Sequence, residues 1–164
     1  MKYCIFVERI FDDECFKALE EFCIKHKGKV KLFCLAPINY ELCVAEQGYT
    51  GTQEELDKLM YKRYLKLEET GVEINLHVHL GLRLENINHK KIIGCAANWM
   101  RDYGFKPKLI TFGWYIYNND SIYIAKLNGL NFFNDHYVFS FHDYEYDKKF
   151  YPMMIITNIR GVFR

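Results

Sequence analysis

Apolar positions along the chain come in short blocks of alternating kind. Residues 3 to 7, "YCIFV", form a brief apolar run rich in strand formers, and "DDECFKALEEFCIKHKG" behind it places Phe16, Leu19, Phe22 and Cys23 at helical spacing. Asp12 or Asp13 stands where that helix would be capped, and Gly28 where it would end. A second strand, "KVKLFCLA", stops at Pro37. After a looser stretch with Gly48, Gly51 and Thr52, "TQEELDKLMYKRYLKLEETG" opens on a capping box, Thr52 with Glu55, and carries Leu56, Leu59, Met60, Leu65 and Leu67. "EINLHVHL" reads as a third strand. A helix from about Asn88 to Tyr103 follows, then a strand "KLITFGW" behind Pro107 and a short helix from about Asp120 to Asn128 closed by Gly129. The last third holds "NFF", "YVFSF" and "MMIIT", each short and bounded by polar residues.

Strands alternating with helices predict parallel strands joined by crossover helices, hence an α/β fold in one domain over residues 1–164. A compact or incomplete (β/α) barrel agrees with the polar residues at the strand ends: Glu8 and Arg9, His77 and His79, Trp114, then His142 and Asp143. Such folds gather their active sites at the carboxyl ends of the strands.

Composition narrows the function classes. With 22 Lys plus Arg against 21 Asp plus Glu, the formal charge is +1, so no global field would hold a phosphate backbone or an anionic membrane. Nucleic acid and membrane are therefore not expected partners. No stretch has the layout of a signal peptide or the roughly 20 apolar residues of a span, which predicts a soluble cytoplasmic protein. The six cysteines include no CxxC pair and mostly sit in apolar runs, as buried free thiols do. A 17% aromatic share suits either a packed core or a sugar-stacking cleft, for which Trp114 and Tyr117 are the candidates.

The chemistry centres on "LHVHL". Residues two apart on a strand share a face, with Cα atoms about 6.5 to 7 Å apart, so His77 and His79 point the same way. Both rings can then reach one metal ion, whose bonds to nitrogen are about 2.0 to 2.1 Å. A third ligand, usually a carboxylate, has to come from another element. The alternative is a pair of core histidines hydrogen-bonded to backbone or tyrosine hydroxyls.

The stretch "ETGVEINLHVHLG" resembles the third-strand motif of the polysaccharide deacetylase superfamily, and other segments are similar to that family in the same order. These are "FDDECFKALEEFC" with "KVKLFCLA", then "GFKPKLITFGWYIYNNDSIYIAKLNGLNFFND", then "VFSFHDYEY". The resemblance implies a (β/α) barrel and a metal-dependent hydrolase, a deacetylase or amidase acting on a carbohydrate or small amide C–N bond. It implies a divalent metal, zinc first among them, on His77, His79 and an acidic residue near Asp12 or Asp13, which also serves as base, with His142 protonating the leaving group. Glu8, the acid nearest the end of the first strand, competes with Asp13 for the carboxylate role. The chain departs from the family pattern in its HxH spacing, in Thr111 where an orienting arginine is expected, and in Glu14 where a glycine follows the acid pair. A degenerate barrel that binds a carbohydrate or a protein without catalysis is the alternative.

Overall fold

The computed structural model describes residues 3–81, 88–133 and 139–140. Its elements are β1 (Tyr3–Val7), α1 (Asp13–Lys25), β2 (Val30–Leu35), α2 (Tyr40–Ala45), α3 (Gln53–Glu69), β3 (Glu73–Val78), α4 (His89–Asp102), β4 (Leu109–Phe112), α5 (Asn119–Leu127), β5 (Asn131–Phe132) and β6 (Phe139–Ser140). The six strands lie in one sheet, ordered β5-β4-β3-β2-β1-β6, and every neighbouring pair is parallel. The α/β class predicted from alternation is the class observed.

Strand alternation divides the sheet into two unlike faces. Ile5, Val7, Leu32, Cys34, Ile74, Leu76, Val78, Ile110 and Phe112 join the buried sides of α1, α3, α4 and α5 in one apolar cluster, where Leu19, Phe22, Met60, Leu67, Ile93, Met100 and Ala125 meet them. On the other face, Cys4, Phe6 and Phe33 form a small separate cluster with Leu109 and Phe133 packed against it. Strand alternation gives this second face the polar residues of β3 and β4, Glu73, Asn75, His77 and Thr111. A sheet with helices on one side and a mixed polar lining on the other directs its chemistry to the second face.

Local chemistry explains where the elements start. The Asp12 carboxylate accepts from the Cys15 backbone N–H at 2.8 Å, making Asp12 the cap of α1. The Thr52–Glu55 capping box is present at α3. Two features do not show in the hydrophobic pattern. The looser stretch after Pro37 contains a 3-10 turn at Pro37–Asn39 and the six-residue α2, too short for a helical period to stand out. The strand read as "KLITFGW" ends at Phe112, because the chain turns at Gly113–Tyr115, with Trp114 at φ 52°. The expected block "MMIIT", and His142 and Asp143, lie outside the described residues. Among the described residues, no helix is long and apolar enough to cross a membrane.

Candidate metal centre

Three side chains from the carboxyl ends of two strands converge on one point. His77 is the fifth residue of β3, His79 follows its last residue, and Glu8 follows the last residue of β1. In the sheet, β2 lies between β1 and β3, so Glu8 must reach across two strand spacings, roughly 10 Å between backbones. The long arm of a glutamate and the length of an imidazole close that gap. Glu8 is 5% exposed, His77 1% and His79 3%.

The distances are short and nearly equal. His77 Nε2 stands 3.2 Å from Glu8 Oε1, His79 Nε2 stands 3.3 Å from the same oxygen, and the two nitrogens are 3.1 Å apart. Electron-pair donors at such separations in a dry site repel one another unless a shared proton or a cation stands among them. Donors bound tetrahedrally to zinc at about 2.0 to 2.1 Å lie roughly 3.3 Å from each other. The triangle therefore has the dimensions of three corners of a zinc site. Three protein donors, two imidazole nitrogens and one carboxylate oxygen, are also the complement of a catalytic rather than a structural zinc, which leaves a position open. On geometry and donor chemistry, a divalent metal is accommodated by Glu8, His77 and His79.

Neighbouring residues hold the donors in place. His77 pairs in register with Thr111 on β4, and His77 Nδ1 lies 2.8 Å from Thr111 Oγ1. With the ring proton on Nδ1 donated to that hydroxyl, Nε2 is left with its lone pair turned to the cluster, as metal-binding histidines require. Phe6 stacks on the His77 ring with centroids 4.7 Å apart and planes 18° from parallel. Glu8 Oε2 accepts from Gln47 Nε2 at 3.3 Å, which leaves Oε1 for the histidines. Asn39 grips the His79 backbone from both sides, its Nδ2 donating to the carbonyl at 2.8 Å and its Oδ1 accepting from the N–H at 3.3 Å. The His79 ring lies edge-on to Trp114, centroids 4.5 Å apart, and a Cβ at Gly113 would fall on the imidazole itself. His79 Nδ1 is buried without a hydrogen-bond partner among the described residues. Burial first, and the negative charge of Glu8 second, push the Cys43 thiol up to about 12.

The residues predicted from sequence part company here. His77, His79 and Glu8 are together. Asp13 is not with them: it opens α1, its side chain is 90% exposed, and its carboxylate pairs with Arg63. Glu8 is the acid that stands with the histidines because it sits at the strand end, whereas Asp13 lies on the helix beyond and is turned to solvent. Trp114 is partly exposed at 38% beside the cluster. Tyr117, expected to share a wall with it, packs instead on Phe112 and Phe132 at 5.8 and 4.6 Å between centroids. His142 lies outside the described residues. Five of the six cysteines are buried as expected, and Cys95 is exposed.

Asn39, Gln47 and Gly113 were not singled out from the sequence. Only Gly113 carried a signal, a glycine at the carboxyl end of a strand, where close approach of another group is a standard reason for that residue. In comparison with known proteins, the chain matches no family model, no curated protein and no solved structure.

Proposed function

We propose that the protein is a metal-dependent hydrolase of a non-peptide C–N bond, a deacetylase or amidase, built on an incomplete (β/α) barrel. The observation that carries the reading is the buried Glu8–His77–His79 triangle with edges of 3.1 to 3.3 Å. The barrel is supported by the strand order: β1 to β5 are neighbours in sequence order and β6 lies beside β1, as the last strand of a barrel does, with helices packed on one face.

A divalent cation, when bound, supplies Lewis-acid polarisation of the scissile carbonyl and a water able to act as nucleophile near neutral pH. The chain's own residues do the rest. Glu8, His77 and His79 would hold the ion, Thr111 keeps His77 in the tautomer that presents Nε2, and Gln47 turns one oxygen of Glu8 to the cluster. In the net reaction the C–N bond gives way to a C–O bond, the water oxygen and one proton going to the acid and the other proton to the amine. The expected result is acetate release from N-acetylated sugars or small anilides by the zinc-loaded protein, lost in His77→Ala and after chelation; a folded, zinc-loaded protein that hydrolyses none of them contradicts the proposal.

One observation favours a second reading, a barrel that binds without catalysis. With Glu8 committed to the ion, the ligand cluster among the described residues contains no other carboxylate, and Asp13 is occupied by Arg63. A binding module retains its ligand in the same assay and releases no acetate.

A further inference from the structure

Next to His79 the structure contains a cleft of about 350 Å³, the lower end of the range for small-ligand sites, roughly 300 to 1,000 Å³. It lies between the turn and helix that follow β2, the residues that follow β3, the first turn of α4 and the turn that follows β4. Its walls are apolar: Ile38, Leu42, Leu80, Ile92 and Trp114. Its charged members are Glu41 and Glu46, both exposed on or just after α2, and the lining among the described residues includes no lysine or arginine. His79 is the member of the metal cluster that reaches this cleft.

Trp114 adds an independent sign that the cleft is built for use. A bulky residue at φ 52°, ψ 17° sits in the left-handed region, where an L side chain is strained and persists only if the surroundings hold it. Here that conformation sets the indole edge-on to His79 at 4.5 Å while leaving Trp114 38% exposed. A core-filling tryptophan would need neither the strain nor the exposure.

Building on the metal-hydrolase reading, we propose that the cleft receives an apolar arm of the substrate, and that this arm is uncharged or cationic at its outer end. Trp114 and the aliphatic walls bury the arm next to the reacting amide. Glu41 and Glu46 attract an ammonium group at the rim and repel a phosphate or carboxylate. The substrate class is thus an acylated amine or anilide with an apolar body rather than a phosphorylated or acidic sugar.

The test uses hydroxamates, which ligate zinc and can carry different bodies, titrated by calorimetry into the zinc-loaded full chain. Benzohydroxamate is expected to bind roughly tenfold or more tightly than acetohydroxamate, because its ring is buried in the cleft. The para-aminomethyl derivative is expected to exceed the para-carboxy derivative by about tenfold at low salt, with the gap narrowing as salt screens the rim. The double variant Glu41→Lys with Glu46→Lys, on an exposed surface, reverses that order, and Trp114→Ala removes most of the benzohydroxamate advantage. If acetohydroxamate binds but the ring adds nothing, or the charge order ignores the double variant, the cleft proposal is wrong while the metal site stands. If the chain takes up no zinc, the metal reading fails and this proposal fails with it.

Discussion

At position 113 a single methyl group decides whether His79 can stay where it is, since a Cβ there would overlap the imidazole. Gly113→Ala is therefore expected to cut zinc affinity at least as severely as His79→Ala while leaving the far-UV circular dichroism unchanged; unaltered affinity would mean that the ring has another place to go. Thr111 acts one bond further out, through the 2.8 Å contact with His77 Nδ1. Replacing it with valine keeps the shape and removes the hydrogen bond, a change that typically weakens metal binding about 10 to 100-fold. Competition against a chelator of known affinity would measure the loss, and a loss below twofold would make the contact incidental. The histidine pair was legible in the sequence because strand period alone puts residues 77 and 79 on one face. The carboxylate that joins them was not. "VERIFDD" offers Glu8, Asp12 and Asp13, and only the way the chain leaves β1 decides that Asp12 caps α1, Asp13 meets Arg63 and Glu8 turns inward.

Secondary structure was legible where it was long or carried its own punctuation. α3 announced itself by the Thr52–Glu55 box, and α1 by Asp12. The turn after β2 and α2 were not visible, because their positions are set by distant partners: Asn39 grips the backbone of His79, 40 residues away, and Gln47 holds Glu8, 39 residues away. The supporting ring of the site is thus assembled by loops whose sequences resemble any polar connection. α3 is fastened to the sheet by a similar long-range bond, the buried Tyr64 hydroxyl donating to the Leu35 carbonyl at 2.9 Å. Burial raises the Tyr64 pKa well above 10.0, so the group remains a neutral donor. Tyr64→Phe removes that buried hydrogen bond and is expected to cost about 1 kcal/mol in urea unfolding; no change in midpoint would indicate that water replaces the hydroxyl.

For the whole molecule, the sheet has two ends with different electrostatics. The carboxyl end carries the Glu8–His77–His79 triangle and the acidic-rimmed cleft. Toward the amino end of β3, Lys31 pairs with Glu73 at 3.0 Å, and Asn75 Nδ2 donates to Glu73 Oε1 at 3.0 Å. Burial pushes the Glu73 pKa up, but the hydrogen bonds from Asn75 and Lys31 and the charges of Lys31 and Lys108 outweigh it, so the net shift is downward from 4.5. A carboxyl with a depressed folded-state pKa stabilises the fold above its unfolded value and loses that contribution as pH falls through the folded one. The stability gap between wild type and Lys31→Met should thus be widest above about pH 4.5 and close in stronger acid, as followed by thermal melts across pH; a gap independent of pH contradicts this pairing. Parallel alternation let the α/β class be read from sequence, whereas the strand order that supports a barrel depends on tertiary pairing no local pattern reports. Every role proposed for Glu8, His77 and His79 depends on the ion itself. The metal content of the purified chain, before and after dialysis against zinc, is predicted to be one equivalent per chain, lost in folded His77→Ala, His79→Ala and Glu8→Gln; a folded wild type that carries no metal and takes none up would contradict it.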